Sequence, residues 1–436
     1  MAITCNYAPS NYARCYDTNV CSYKYTSDQY TQPNFSYYVE FFCNGTKIAS
    51  QKFYATNTGV VYINPTSIYK NYLSPSNQIY DLNLGITGVT SCPNSFKTFQ
   101  MVLYETWGVP PTNHPALTGS TIYFFNGNQV FVDYQSTAGG GNDKWYMNTG
   151  HTGGFLSDVD QIFLDEKDYY NLFFMTNTGV TTIQYTWNVG GGGGGMAING
   201  PQGSGEYQIQ SLTHGSPDAA NLPPYVGPPT GTTSGTTLTY TETVNITTPG
   251  MYQIPIGMIR LRNKWSLPDN WGWYQISLWN GITKLNDVDF TVYYTSRDCR
   301  YPNYQVFWLN KHGGYDGMVW DKGNIVKNKI TRDTYKKSLF PNYNFQQAGE
   351  LVHNIQVEED FTLTTSLLDA QSQSQLIMGM FQSPVIFVLN NILGTLFTVP
   401  YICTDTDVEY LQMVNDQSIY YQCTLRPSNQ RIEQSF

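Results

Sequence analysis

Charge is scarce in this chain. Only 13% of its 436 residues are Asp, Glu, Lys or Arg, and 23 basic residues face 32 acidic ones, a net charge of −9. A general nucleic-acid coat or an adhesive for anionic membranes needs the opposite balance, so neither partner is expected. Long apolar runs are also missing. The most apolar stretch, residues 385–399, is interrupted by Asn390, Asn391 and Gly394 and falls short of the ~20 residues of a membrane-spanning helix. Met1-Ala2-Ile3-Thr4-Cys5-Asn6-Tyr7 has no basic region leading into an apolar core, so no signal peptide is expected.

Metal and catalytic signatures are equally thin. The eight cysteines (Cys5, Cys15, Cys21, Cys43, Cys92, Cys299, Cys403 and Cys423) contain no Cys-x-x-Cys pair, and the five histidines are scattered. A zinc site is therefore not expected, and the cysteines read as free, reduced thiols. There is no Gly-x-Ser-x-Gly elbow, no His-Glu-x-x-His pair and no phosphate-binding glycine loop followed by Lys-Ser or Lys-Thr. We expect no catalytic residue, no metal and no cofactor. Two acidic groups would be the places to look for a cation, namely Asp158 to Asp168 and the alternating Asp405, Asp407 and Glu409; solvated surface is the plainer reading of both.

What is present points to sheets. Aromatics make up 15% of the chain, with 36 Tyr and 9 Trp, alongside many Thr, Asn, Gly, Val and Ile. Such residues suit pleated strands and turns, and Tyr also suits interfaces. The expected fold is mainly β: several antiparallel β-sandwich domains and a small α+β domain at the C-terminal end. The expected segments are an N-terminal sandwich over 1–110, a second β domain over 111–187, a Gly/Pro-rich linker or arm over 188–237, a third β domain over 238–345 and the α+β unit over 346–436.

Local signals support this division. Asn44-Gly45 lies between two strand-like runs, 35–43 and 47–54, a strong hairpin signal. Asn64-Pro65 opens a short helix carrying Ile68 and Tyr72. Further strands are expected at 79–84, 96–107, 121–125, 129–134, 169–175, 181–187 and 237–246. Residues 251–262 follow, and Trp265, Trp271, Trp273 and Trp279 then crowd one span. In the last segment, Leu376/Met380 and Ile377/Phe381 give helical spacing to 367–381, the one helix of any length.

The stretch 293–337 stands out. Apolar runs at 305–309 and 318–320 flank the corner Gly313-Gly314, and Tyr315-Asp316 follow it as turn framework. Lys322, Lys327, Lys329, Arg332, Lys336 and Lys337 then concentrate positive charge in an acidic chain. Trp271, Trp273, Lys327, Lys329, Arg332 and Lys336 are the candidate interface residues.

The block Val306-Phe307-Trp308-Leu309-Asn310-Lys311-His312-Gly313-Gly314-Tyr315-Asp316, with Thr331-Arg332-Asp333-Thr334-Tyr335-Lys336-Lys337 downstream, resembles virion proteins of tailed phages infecting Bacteroidetes, including crAss-like phages. The run from Tyr62-Ile63-Asn64-Pro65 to Leu73 and the C-terminal Val399-Pro400-Tyr401-Ile402-Cys403 are similar to the same proteins. Together the blocks cover about half the chain, and the 188–237 segment departs from the pattern. The resemblance implies a structural protein of the tail, collar or head–tail connecting ring, located in the virion and made in the host cytoplasm. Its partners would be copies of itself in a symmetric ring and neighbouring portal, tail or collar proteins, with no membrane and no sequence-specific nucleic acid. A host-receptor or carbohydrate-binding tail protein is the alternative, with the tryptophans as platform.

Overall fold

A computed structural model describes residues 3–7, 12–15, 19–25, 28–74, 89–127, 146–147, 153–165, 167–176, 180–189, 236–265, 271–294, 303–337, 349–365, 368–369, 372–392, 395–405, 410–412, 418–428 and 431–435. The strands expected at 79–84 and 129–134 and nearly all of the 188–237 segment lie outside them. The protein is mainly β, in several antiparallel and mixed sheets. The chain forms two compact units. One comprises Met1–Ser296 with Asn310–Asp316, the other Arg297–Leu309 with Gly317–Phe436.

The first unit begins with the expected hairpin. Ser36–Cys43 pairs antiparallel with Thr46–Phe53, and Asn44 and Gly45 between them both take positive φ, 48° and 77°. That is the left-handed pair a two-residue hairpin turn requires. Ser36–Cys43 also pairs with Phe96–Trp107, whose neighbour Ile122–Phe125 runs parallel to Tyr12–Arg14. A three-stranded sheet of Ile3–Tyr7, Cys21–Tyr25 and Val60–Ile63 completes this layer set. Alternate residues of these strands share one core, including Tyr37, Val39, Phe41, Phe99, Met101 and Leu103. Tyr69, from the short helix Thr66–Tyr69, meets the rings of Phe41, Phe99 and Phe124 there. Each such buried ring contributes roughly 2–3 kcal/mol of transfer free energy.

Two further sheets belong to this unit. Asn171–Thr176 pairs antiparallel with Gly250–Pro255. Val180–Val189 lies between Thr236–Ile246 and Trp271–Asn280, antiparallel to both, and the sheet continues through Phe290–Tyr294 to Gln161–Leu164. Strands from before and after the 188–237 segment thus share sheets. Residues 251–262 divide into the end of the Gly250–Pro255 strand and a seven-residue helix, Met258–Lys264. This helix is held by a buried ion pair: Arg260 Nη2 donates to both Glu242 carboxylate oxygens at 2.9 and 2.8 Å, and Arg260 Nη1 donates to Tyr185 Oη and Pro255 O. Removing one partner of such a pair strands a buried charge, at a cost of about 3–5 kcal/mol.

The second unit is built on a ten-stranded sheet. Its main path runs Tyr315–Trp320, Tyr304–Leu309, Ile386–Ile392, Thr395–Cys403, Ser418–Pro427, Glu350–Thr364 and Lys322–Lys336. Trp308, Val306, Ile386, Val388, Leu363 and Leu425 are buried along it. The helix begins at Ser372 and ends at Gln382, a turn later than its spacing suggests. Leu368 and Asp369 instead form a short strand opposite Ile419 and Ser418, because pairing there outweighs helix propensity. The C-terminal strands share this sheet with strands from 304–336, so the sheet is not confined to the last ninety residues. The seven described cysteines are all free thiols, five of them buried.

Candidate interaction surface

The turn Asn310–Asp316 is constructed from the inside. Asn310 Oδ1 accepts the backbone N–H groups of His312 and Gly314 at 3.0 and 3.1 Å. Asn310 N donates to Gly314 O and Gly313 N to Asn310 O, closing the loop. Gly313 has φ +88°, and a Cβ there would lie 1.6 Å from Asn126 O. A Cβ on Gly314 would lie 2.3 Å from Leu156 O. Both positions exclude every side chain, the first by conformation and space together.

A buried polar network surrounds this turn. Asp316 is fully buried. Its Oδ1 accepts from Ser157 Oγ at 2.6 Å and Tyr170 Oη at 3.2 Å; its Oδ2 accepts from Asp158 N and Asn310 Nδ2, each at 3.0 Å. Burial first, and then the nearby Asp158 charge, push its carboxyl up to about 7, while the hydrogen bonds hold it back. Asp158 faces Lys311 Nζ and His312 Nε2, each at 3.1 Å. Burial would raise Asp158, but the His312 hydrogen bond and charge and the Lys311 ammonium outweigh it and hold the carboxyl below its ordinary range. Burial lowers His312, partly offset by Asp158.

Ser157 bonds Asp316, and His312 Nε2 lies 3.1 Å from Asp158, so within this network the Ser157 hydroxyl is not set against the histidine. Tyr315, buried, packs its ring 5.8 Å from that of Phe173. Gly313, Gly314, Tyr315 and Asp316 are therefore brought together, with Ser157, Asp158, Tyr170 and Asn310 as partners that sequence reasoning missed. Asn310 had a readable signal, since Asn directly before a glycine corner commonly bonds the turn backbone. The Asp158–Asp168 group is dispersed into separate tasks: Asp158 serves the turn, and Asp168 Oδ2 accepts from Asp165 N. Asp405 Oδ2 accepts Thr424 N. Among the described residues no three His, Cys, Asp or Glu side chains converge as metal ligands.

The tryptophans do not form one cluster. Trp265 packs against Tyr185 and Tyr240 beneath the Lys264 ammonium. Trp273 and Trp279 stand an even number of positions apart on the Trp271–Asn280 strand, hence on one face of its sheet, while the Trp271 side chain lies outside the described ones. On that face Trp273 stands opposite Tyr293, and Tyr293 opposite Phe163. The Phe163 and Tyr293 rings stack at 5.3 Å. All three are half-buried, whereas Tyr274, Ile276 and Leu278 on the other face are fully buried.

Among the described residues the basic run forms the longest ribbon. Lys322–Lys336 pairs with Glu350–Thr364 over fifteen-residue strands. Lys327 stands opposite Asp360, Lys329 opposite Glu358, Arg332 opposite Ile355 and Lys336 opposite Glu350. Lys329 Nζ lies 3.3 Å from Glu358 Oε2. The positive charge is thus met partly by acids of the same chain. Opposed residues share a face. One face carries Lys327/Asp360 and Lys329/Glu358; the other carries Val326/Phe361, Ile330/Val357 and Arg332/Ile355. Val326 and Ile330 are 46% and 47% exposed. An alternating pattern normally buries its apolar half; here Val326 and Ile330 remain solvent-facing in the single chain, while Ile355, Val357 and Phe361 are half-buried. No protein-family model matches this chain, and no curated protein matches it.

Proposed function

We propose that this protein is a non-enzymatic structural component of a tailed-phage virion. In this reading it assembles with copies of itself as a ring in the tail or head–tail connector region, against neighbouring portal, tail or collar proteins. The supporting observation is the ribbon of Lys322–Lys336 and Glu350–Thr364, which exposes Val326, Ile330, Tyr335 and Val352 along a long strand pair. Exposed apolar surface of this kind is what a subunit presents to its neighbours. The phage-like blocks around the turn and the ribbon supply the virion context. Electron microscopy of the purified protein at high concentration tests it: ring-shaped assemblies are expected, and a monomer that forms no ring overturns the proposal.

The aromatic row Phe163, Tyr293 and Trp273 favours a second reading, a receptor- or carbohydrate-binding tail protein, because adjacent rings on one sheet face suit stacking against sugars. Glycan-array binding lost in Trp273→Ala would carry this reading, and a silent array removes it.

A further inference from the structure

The outer edge of Lys322–Lys336 ends the main path of the ten-stranded sheet, and among the described residues only Glu350–Thr364 pairs with it. A long edge with unpaired N–H and C=O groups is a template for another strand unless charge or a bulge blunts it. The lysines look at first like such a block. The order of charges along the strand says otherwise, because one acid, Asp333, is set among them.

Consider two copies joined edge to edge about a two-fold axis. Antiparallel symmetry then places some residue opposite its own copy, and the rest of the register follows. Centring on Asn328 opposes Lys327 to Lys329 of the other copy. Centring on Lys329, Arg332 or Asp333 opposes each to itself. All four set like charges together, which is destabilising. Centring on Thr331 pairs Lys329 with Asp333 but sets Ile330 against Arg332, Val326 against Lys336 and Lys327 against Tyr335. Centring on Ile330 pairs Ile330 with itself, Lys327 with Asp333, Ile325 with Tyr335 and Val326 with Thr334. Ile325, Val326, Ile330 and Tyr335 are the exposed apolar residues of this strand, between 46% and 49% exposed.

We infer that Lys322–Lys336 is a self-complementary edge through which two copies of this chain pair antiparallel, with Ile330 on the two-fold axis and Lys327 of each copy against Asp333 of the other. Pairing extends the sheet across both copies and joins the apolar faces bearing Val326, Ile330, Ile355 and Val357 into one strip. The inference rests on the self-assembly in the reading above, not on the virion setting.

Charge swaps test it. Lys327 and Asp333 are six residues apart on one strand, about 20 Å, too far to compensate each other within a chain. Lys327→Asp and Asp333→Lys, made separately, are each expected to weaken self-association about 10-fold or more in analytical ultracentrifugation. Each variant opposes like charges twice in its own pair. The double variant is expected to regain association, and so is an equimolar mixture of the two single variants, because each supplies what the other lacks. Circular dichroism and unfolding midpoints of each variant confirm that the ribbon persists. If the native protein self-associates and neither combination restores what the single variants lose, this edge is overturned while self-assembly stands. If the native protein stays monomeric at all concentrations, both are overturned.

Discussion

The turn Asn310–Asp316 and the ribbon of Lys322–Lys336 with Glu350–Thr364 lie side by side in sequence and share the same vocabulary of β-branched, aromatic and polar residues. Their environments are opposite. In the turn, Asp316 is fully buried and accepts four hydrogen bonds, and two glycines have no room for a methyl group. In the ribbon, residues 325–337 are all exposed, isoleucine and valine included. The same kinds of side chain therefore do different work. Where packing closes around them they fix a conformation; where it does not they remain available to a neighbour. Substitutions in the turn should act on folding, and those on the ribbon on association.

The sharpest break of this contrast is Gly313→Ala. Its methyl group must displace the Asn126 carbonyl in a conformation that alanine resists, so a loss of about 4 kcal/mol or more is expected. Urea unfolding, or failure to obtain soluble protein, reads this; an unchanged midpoint would show that the turn is not closed as described. Asp316→Ala leaves four donors without their acceptor and should cost about 3 kcal/mol or more in the same measurement.

The next effect depends on pH. Glu105 is 3% exposed, its Oε1 has no hydrogen-bond partner among the described residues, and burial pushes its carboxyl up to about 7. Asp316 is likewise raised to about 7. An unfolded carboxyl titrates near 4, so between about pH 4 and pH 7 the folded state holds protons that the unfolded state has lost. From these two groups stability falls as pH rises through that window. Glu105→Gln should remove its part of the slope, raising the unfolding midpoint at pH 8 and leaving it nearly unchanged at pH 4. Equal shifts at both pH values would refute the cause given. At the small end, Lys329→Ala removes an exposed pair with Glu358 and should change stability by no more than about 0.5 kcal/mol.

Much of the β architecture was legible in the sequence because its signals are local. Asn44-Gly45 dictates its turn from two residues, and the strand expected over 96–107 coincides with Phe96–Trp107. The Met258–Lys264 helix has too few residues for a clear period and depends on the distant Glu242 to hold Arg260. The start of the last helix was hidden for a similar reason, since Leu368 and Asp369 are claimed by Ile419 and Ser418, some fifty residues on. The glycine corner was readable as a turn, but its partners Ser157, Asp158 and Tyr170 lie about 150 residues away and carry no local mark. The tryptophans were readable as neighbours in sequence, whereas Trp265 follows the helix and packs against Tyr185 and Tyr240, apart from the strand that carries Trp273 and Trp279. The lysine run was plain; the acids opposite it follow from a register that only the paired strands reveal.

The buried free cysteines give each unit its own chemical clock. Cys15, Cys21, Cys43 and Cys92 lie in the first unit and Cys423 in the second. Burial pushes Cys21 up to about 12 and Cys423 well above its ordinary value, so neither forms the reactive thiolate while its surroundings stay closed. An alkylating reagent reaches them only when the surrounding strands part, whereas exposed Cys5 reacts from the start. The order in which mass spectrometry finds these thiols modified therefore ranks the local opening of the two units, in the native protein and without denaturant.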